Sequence, residues 1–323
     1  MSTPTSFTIP RTVFSAGLIR AGRISCSRPN VRRHFFGSIA NLYAGSLSDS
    51  HNAHHVGRVH HHLEHNGVLK ISLAFDDDKS KYLEQLVLHL HKNHGHGLPI
   101  THSSSRGWFW DVRPSPETTS SHQARSETMD EFPWHTDCSY DRVPPRYFAL
   151  QVLQPDTNGG GTLSVLRSEH LLSRLSPTTR ISLTHPEYAF TVPPEFTKDD
   201  NDKHIVGCLL STTEEQRHVQ LRFRADIISP LTTRAESAYR ELQGVLSSKD
   251  IEADIIHLTS ESMPRGSIIL LDNRRWLHSR NIVKDPNRHL RRVRWDSRPF
   301  SEDMLQTPAH IGSSPIVRYG QNV

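Results

Sequence analysis

The tetrapeptide Trp134-His135-Thr136-Asp137 is the stretch around which the rest of the chain is best interpreted. Side chains on an extended segment repeat every two residues, so His135 and Asp137 are predicted to point to the same side. A second histidine, His278, follows an apolar run at residues 268–271. Two histidines and one carboxylate facing a common point form the ligand set typical of non-haem Fe(II) sites, which leave positions open for further ligands.

Length, charge and cysteine content limit the class of protein. The 323 residues can form one large domain or two, and no run approaches the roughly 18 apolar residues of a membrane span. The net charge is +4, and the basic residues are spread along the chain, which disfavours nucleic acid as the main partner. The three cysteines are far apart and lack a Cys-x-x-Cys pattern, which indicates free thiols in a reducing compartment.

The N-terminal segment differs from the rest of the chain in composition. Residues 1–48 contain no Asp or Glu but six arginines among many Ser and Thr, a composition typical of an organellar transit peptide. This predicts a mitochondrial location, and the alternative is a disordered basic tail on a cytoplasmic protein. We expect residues 49–300 to form a single domain and residues 301–323 a C-terminal tail.

Twelve of the 23 histidines lie between His51 and His102, an enrichment that first indicates a metal-binding segment. The apolar positions explain the segment without a metal, because they predict one helix ending at Gly67, a strand at residues 68–75 and a second helix through Leu90. The histidines fall mostly between these apolar positions, so we expect them to form a solvated face. A zinc or nickel reservoir remains the rival interpretation.

Short apolar stretches separated by turns dominate the remainder of the chain. The predicted strands are residues 146–154, 163–166, 204–210, 217–224, 255–258, 268–271 and 290–295, with one helix at 232–246. This pattern predicts a mainly β protein with flanking helices, a jelly roll of two sheets rather than an alternating α/β fold. The polar stretch 115–130 has the composition of a loop or lid, and Gly159-Gly160-Gly161 lacks the spacing of a dinucleotide-binding loop.

Four motifs occur in a recognisable order and spacing. They are Trp134-His135-Thr136-Asp137, Gly160-Gly161-Thr162-Leu163, the segment 272–280 that contains His278, and Arg288-His289-Leu290-Arg291-Arg292. Across residues 55–300 the chain resembles the taurine dioxygenase-like family, which includes gamma-butyrobetaine hydroxylase and clavaminate synthase-like proteins. The resemblance implies a double-stranded β-helix that uses Fe(II) as cofactor and 2-oxoglutarate as cosubstrate.

The resemblance also implies roles for individual residues. His135, Asp137 and His278 match the iron ligands, and Arg288 matches the arginine that holds the distal carboxylate of 2-oxoglutarate. A guanidinium suits that role because its planar fork pairs with two carboxylate oxygens. Thr162 matches the hydroxyl donor to the same carboxylate. Each residue alone has a simpler interpretation, as a surface or core histidine, a turn residue or a strand cation.

Candidate substrate contacts follow with less support from the motifs. Arg292 lies four residues after Arg288 and should share its strand face, where some family members bind an anionic substrate group. Trp276 could accept an aromatic ring or a quaternary ammonium. Arg222 and Arg224 alternate with Asp226 and line either the substrate pocket or the solvated exterior. Cys138 follows the predicted ligand Asp137 and is expected to face away from the metal.

The function implied by the resemblance is oxidation, by default hydroxylation, of a small anionic or zwitterionic molecule with release of succinate and CO2. Desaturation and ring closure belong to the same chemistry, whereas halogenation is disfavoured because Asp137 keeps the carboxylate ligand. The substrate class stays open among an amino acid, a betaine and a secondary metabolite. The competing interpretation is a catalytically silent metal-binding jelly roll that acts as a sensor or scaffold.

Overall fold

The computed structural model describes residues 39–101, 107–115, 123–197, 203–212 and 218–300. Most of the basic N-terminal segment, part of the predicted lid and the whole tail from 301 lie outside the described residues. The transit peptide and the domain limits therefore stay predictions. None of the helices in the described ranges combines the length and apolar character that a bilayer-spanning helix requires.

Fifteen strands carry the architecture within the described residues. They are β1 (Asn41–Ala44), β2 (Val68–Leu73), β3 (Phe109–Val112), β4 (Phe132–His135), β5 (Pro145–Gln154), β6 (Leu163–Arg167), β7 (Tyr188–Thr191), β8 (His204–Gly207), β9 (Leu210–Ser211), β10 (Gln220–Leu221), β11 (Ile228–Pro230), β12 (Ile255–Leu258), β13 (Ser267–Asp272), β14 (Trp276–Arg280) and β15 (His289–Ser297). Most of the longer strands coincide with the apolar stretches identified in the sequence.

Five α-helices flank the strands in the described part of the chain. They are α1 (Ala53–Asn66), α2 (Lys81–His94), α3 (Ser168–Leu172), α4 (Pro177–Ser182) and α5 (Thr233–Leu246). Helix α1 begins at Asn52, whose side chain accepts hydrogen bonds from the backbone of His54 and His55. It ends at Gly67, whose φ of 70° is the left-handed stop predicted from the sequence.

Two sheets face each other across the core, which is the arrangement of a double-stranded β-helix. The six-stranded sheet has the order β1-β2-β13-β5-β15-β3, and the four-stranded sheet has the order β12-β6-β14-β4. Smaller sheets of order β11-β7-β8 and β10-β9 complete the described strands. All neighbouring strands pair antiparallel except β1 and β2. The mainly β jelly roll predicted from the sequence is confirmed.

Alternation along the strands of the six-stranded sheet separates two cores. On β13, Ile269 and Leu271 point between the two sheets, where they pack with β5 residues such as Phe148 and with β6. Ile268 and Leu270 point to the opposite face, which is covered by α1 and α2. The sheet is thus buried on both faces, which explains why β13 reads as a continuous apolar run.

Two parts of the strand prediction were wrong. The predicted strand 217–224 reduces to Gln220–Leu221 in the described residues, because the chain then turns to pair with Thr136 through the backbone of Phe223. No strand was predicted for the segment carrying His278, which was said only to follow an apolar run, but it forms β14. Its charged and aromatic residues do not show the apolar pattern of a strand, although the strand is buried between β6 and β4.

Candidate metal and cosubstrate site

The two candidate histidine ligands lie on neighbouring strands. His135 is the last residue of β4, and it pairs directly with His278 in the middle of β14. Asp137 follows two residues after β4 ends, so its position comes from a turn rather than from strand alternation. Strand pairing therefore closes the long sequence separation between His135 and His278.

The three side chains present their ligand atoms to one another in a buried place. His135 Nε2 lies 3.8 Å and His278 Nε2 lies 3.7 Å from Asp137 Oδ1, and all three side chains are at most 7% exposed. These separations exceed hydrogen-bond length, so the atoms converge without bonding. The Nδ1 of His135 lies 2.7 Å from the carbonyl of Pro133, which fixes the tautomer that leaves Nε2 with a free lone pair.

Electrostatics keep this group in the protonation state that a metal requires. Burial, assisted by the neighbouring His278, holds the pKa of His135 well below its ordinary value, so the imidazole is neutral. Burial alone would raise the pKa of Asp137, but the Arg292 guanidinium 3.1 Å from its carboxylate, together with His278 and Arg294, outweighs burial and holds that pKa well below the usual range. A neutral imidazole on His135 and an ionised carboxylate on Asp137 are donors that suit a divalent metal.

The residues therefore fit a divalent iron ion on the evidence of their own contacts. Their nitrogen and carboxylate atoms lie within 4.8 Å of one another, and both Nε2 atoms point at the same carboxylate oxygen. The Phe132 ring stacks on His135 at 3.6 Å, and Phe148 lies 4.6 Å from His278, so both imidazoles are held in orientation by aromatic neighbours. The sequence prediction that brings these three residues together agrees with the structure.

A glycine turn positions the candidate cosubstrate arginine. Gly161 has a φ of 62°, and a Cβ there would lie 2.5 Å from Nε of Arg288, so only glycine allows the guanidinium to pack on this turn. Arg288 Nη2 donates to the Gly161 carbonyl at 3.3 Å. Thr162 is the next residue, and its backbone N–H donates to Asn281 Oδ1. The structure thus places Arg288 against Gly161, the residue before Thr162, just before the start of β6.

Arg288 has the properties of a carboxylate receptor. It is 4% exposed, and its Nη1 has no hydrogen-bond partner among the described residues. The cavity beside it is lined mainly by apolar side chains of the barrel interior, including Leu150, Leu163 and Leu290. Burial lowers the pKa of Arg288 to about 10, which leaves the guanidinium charged at neutral pH. A buried cation with an unused donor in an apolar cavity suits a small dicarboxylate such as 2-oxoglutarate.

A second cavity opens over the candidate metal ligands and carries several charged side chains. Arg224, Arg292 and Arg294 line it together with Glu195 and Tyr140. Arg224 forms a two-bond ion pair with Asp226 at 2.9 Å for each bond, so its charge is already balanced. Arg292 pairs with Asp137 and points inward as the sequence predicted.

Two predicted substrate contacts are placed elsewhere. Arg222 is 1% exposed and lies between the rings of Phe190 and Phe300, and it does not line the cavity that holds the metal candidates. The prediction assumed one continuous strand face for Arg222 and Arg224, but β10 ends before both residues. Trp276 donates from its indole nitrogen to the carbonyl of Asn66 and packs in the core, so it anchors the end of α1 instead.

Several cavity residues were missed or misjudged from the sequence. Cys138 was expected to face away, yet it lines the cavity with Asp137 because its φ of 54° breaks the strand alternation. Arg294 could have been found as the next inward position after Arg292 on β15. Glu195 has no sequence signal, since it reaches the cavity from a short turn between β7 and β8.

The histidine-rich segment forms a second cluster that also has metal-like spacing. His60, Glu64 and His96 bring their ligand atoms within 4.8 Å of one another. The His96 Nε2 is 3.0 Å from His60 Nδ1, and the Trp295 indole donates to His96 Nδ1 at 3.1 Å. The expectation that these histidines form a solvated face was wrong for His96, which is 3% exposed, and for His55, which is 8% exposed.

Comparisons with known proteins agree with this site. Residues 45–294 match the family model described as taurine catabolism dioxygenase TauD, TfdA family, which covers most of the chain. L-asparagine oxygenase from Streptomyces coelicolor (strain ATCC BAA-471 / A3(2) / M145) is 26% identical over 170 residues, which are 53% of this chain. The match spans about half of that relative, 47% of its length.

Solved structures show the same fold at low sequence identity. Asparagine oxygenase in complex with Fe(II), 2S,3S-3-hydroxyasparagine and succinate superimposes with a TM-score of 0.58 at 18% identity, covering 81% of this chain and 94% of that one. The non-haem iron oxygenase OrfP in complex with Fe and alpha-ketoglutaric acid gives a TM-score of 0.56 at 18% identity, covering 77% of this chain and 83% of that one. At these identities the likeness establishes the fold.

Proposed function

Because the chain belongs to the TauD, TfdA family of dioxygenases, we propose that it is an Fe(II)- and 2-oxoglutarate-dependent dioxygenase that hydroxylates a small anionic or zwitterionic molecule. The observation that carries the proposal is the pairing of two features in one barrel. One is the buried convergence of His135, Asp137 and His278, and the other is the unpartnered donor of buried Arg288. A silent metal-binding protein has no need for the second feature.

Each residue has a distinct task in this reaction. His135, Asp137 and His278 would hold the iron, and Arg288 with Thr162 would hold the distal carboxylate of 2-oxoglutarate. When iron and 2-oxoglutarate are bound, they supply oxidative decarboxylation of the keto acid to succinate and CO2, coupled to oxidation of the substrate. The apolar side chains around Arg288 exclude water from the cosubstrate, which strengthens its ion pair with the guanidinium.

The cavity over the ligands supports a substrate that carries both charges. Arg292 and Arg294 offer cations on one side, since they follow each other on the inner face of β15. Glu195 offers a carboxylate, and the described residues include no hydrogen-bond or ion-pair partner for it. The adjacent Phe196 stacks on Tyr140 at 5.0 Å, which holds the Glu195 turn against the segment that follows Asp137.

An α-amino acid or another molecule with a carboxylate and an ammonium group meets these requirements. Arg292, whose Nε has no hydrogen-bond partner among the described residues although its Nη1 pairs with Asp137, would bind the carboxylate, and Glu195 would bind the ammonium. Two solved structures of this fold are complexes with hydroxyasparagine or hydroxyarginine, which are molecules of this kind, and this supports the proposal. Mitochondrial targeting by residues 1–48 and a place in secondary metabolism are additional predictions that rest on composition and resemblance.

Succinate formation tests the proposed function. Purified protein is reconstituted anaerobically with Fe(II) and 2-oxoglutarate, exposed to O2 and screened with the twenty common amino acids and with betaines. We expect succinate from the native protein, stimulated by at least one zwitterion, and none above background from His135→Ala. Failure of the native protein to release succinate or to bind 2-oxoglutarate would favour the sensor or scaffold interpretation.

A further inference from the structure

The backbone of Asp137 is held by one buried side chain. Strand β4 ends at His135, so the N–H and C=O of Asp137 have no place in a sheet ladder. The N–H of Asp137 donates to Asn273 Oδ1 at 2.7 Å, and Asn273 Nδ2 donates to the Asp137 carbonyl at 2.9 Å. One amide thus satisfies both backbone groups of the candidate ligand, as a neighbouring strand would.

Asn273 is itself fixed in the hairpin that carries the other ligand. It is 1% exposed, it lies between β13 and β14, and its Nδ2 also donates to the carbonyl of Pro145 at 3.0 Å. Its own N–H donates to the Arg146 carbonyl at 2.7 Å. Because β14 carries His278, the Asn273 amide ties the Asp137 turn to the same hairpin as the second histidine.

The turn needs such a restraint. The residue after Asp137 is Cys138, whose φ of 54° is rare for a residue with a Cβ. Such a conformation persists only when the surroundings determine it, and the hydrogen bonds from Asn273 act on the peptide groups just before it. Without them the Asp137 carboxylate would lose its fixed position between the two imidazoles.

We propose that Asn273 is a positioning residue for the iron site, which sets the separation of Asp137 from His135 and His278 and thereby the iron affinity. The proposal rests on the proposed function in one respect, that these three residues bind iron. It predicts an effect on the metal that is separate from any effect on the stability of the fold, because the two backbone groups belong to the ligand itself.

Anaerobic Fe(II) titration against a competing chelator tests the proposal on two variants. Asn273→Ala removes all three side-chain hydrogen bonds, and Asn273→Asp keeps only the acceptor for the Asp137 N–H. We expect the iron dissociation constant to rise about 10- to 100-fold in both, the range seen when an outer partner of a metal ligand is lost. The Asp variant adds a negative charge near the metal, which by charge alone would tighten binding, so weaker binding identifies loss of position.

Asn281→Ala is the matched control, since Asn281 is also an asparagine that fixes a loop backbone, here the N–H of Thr162 at 2.7 Å. It should leave the iron dissociation constant unchanged and weaken 2-oxoglutarate binding. If the native protein binds iron and both Asn273 variants match it within twofold while only their melting temperatures fall, Asn273 is merely structural. If the native protein binds no iron, the proposed function fails as well, which separates the two outcomes.

Discussion

Two clusters among the described residues contain two histidines and one carboxylate, and they differ in whether the facing histidine nitrogens are already hydrogen-bonded. In the cluster of His135, Asp137 and His278, the facing nitrogen and oxygen atoms lie 3.7–3.8 Å apart and do not bond one another. In the cluster of His60, Glu64 and His96, the corresponding atoms are already in hydrogen bonds. Similar composition and spacing therefore lead to different chemistry.

The hydrogen bonds of the second cluster form a directional chain. An indole N–H can only donate, so the bond from Trp295 makes His96 Nδ1 an acceptor. Neutral His96 then carries its proton on Nε2 and donates to His60 Nδ1. A metal on His96 Nε2 would have to displace that proton, while Nδ1 still faces a donor.

Both carboxylate oxygens of Glu64 are also already in hydrogen bonds. Its two oxygens accept from Tyr147 at 2.6 Å and from Arg146 at 2.9 Å. Burial alone would raise the pKa of Glu64, but these two partners outweigh it and hold the value at about 2. We therefore expect iron at the cluster of His135, Asp137 and His278, whose histidine nitrogens lie beyond hydrogen-bond distance of the carboxylate, and not at the cluster of His60, Glu64 and His96.

The largest expected difference between the clusters is in iron binding. His135→Ala removes a ligand, so iron affinity should fall by more than the roughly 100-fold that marks the loss of an outer partner. His60→Ala removes a histidine that the hydrogen-bond chain already uses, so the stoichiometry should stay near one iron per chain. Anaerobic iron titration measures both, and a loss of iron in His60→Ala would reverse the assignment.

Two buried arginines extend the comparison to the cosubstrate. Both carry guanidinium nitrogens without a hydrogen-bond partner among the described residues, but Arg288 lines a cavity, whereas Arg222 is enclosed by Phe190 and Phe300. Truncating one member of a buried charge pair costs about 2–5 kcal/mol, so Arg288→Ala should raise the KM for 2-oxoglutarate by about 30-fold or more. Arg222→Met should leave this KM unchanged. Equal effects in the two variants would show that only stability had been measured.

His96 of the second cluster should contribute to the pH dependence of stability. Burial lowers the pKa of His96 from its ordinary 6.5 to about 4, so between these values the unfolded chain binds a proton that the folded chain does not. The stability is therefore complete above pH 6.5 and is lost as the pH falls toward 4. Between pH 7 and pH 5 this histidine should account for about 2 kcal/mol.

Chemical denaturation of the metal-free protein at several pH values measures this effect. His96→Gln should unfold with a free energy that changes less between pH 7 and pH 5, although its stability at pH 7 is lower. His135→Gln is not a suitable control, because burial also lowers the pKa of His135. The exposed His54 is a suitable control. The unfolding free energy of His54→Gln should change with pH as it does in the native protein.

The smallest expected effect contrasts two glutamates. Glu195 lines the cavity without a partner in the described residues, and Glu64 has two. Glu195→Gln should raise the KM for a zwitterionic substrate about tenfold, since a hydrogen bond to a charged group contributes about 1.5 kcal/mol. Glu64→Gln should lower stability and leave that KM unchanged. An unchanged KM in Glu195→Gln would remove the ammonium from the substrate proposal.

Short-range patterns predicted the parts of this fold that local physics controls. Periodicity and turn chemistry predict helix α1 with its stop at Gly67 and the buried strand β13. They also predict the extended segments before and after the Asp137 turn, which are β4 and β5. The convergence of His135 and His278 was expected from ordered motifs, and strand pairing supplies it. These features depend on residues that are close in sequence or on motifs that occur together.

The remaining features depend on tertiary contacts that a linear pattern does not encode. Arg222 looks like a pocket residue by alternation, but the chain leaves its strand first. Strand alternation predicts that the Cys138 side chain points away from the metal site, and only its positive φ explains why it lines the cavity instead. The interaction between Asn273 and Asp137 joins residues 136 positions apart, and nothing in either local sequence announces it. The sequence of the histidine-rich segment likewise does not distinguish the hydrogen-bonded chain of His60, His96 and Trp295 from the exposed imidazoles around it.

The most direct test of the central claim is the visible charge-transfer band that a 2-oxoglutarate complex of protein-bound iron shows under anaerobic conditions. It is measured for the native protein, His135→Ala, Arg288→Ala and His60→Ala at equal iron. We expect the band in the native protein and in His60→Ala, and no band in His135→Ala. In Arg288→Ala the band should appear only at a much higher 2-oxoglutarate concentration. A band that survives in His135→Ala, or that disappears in His60→Ala, would contradict the central claim.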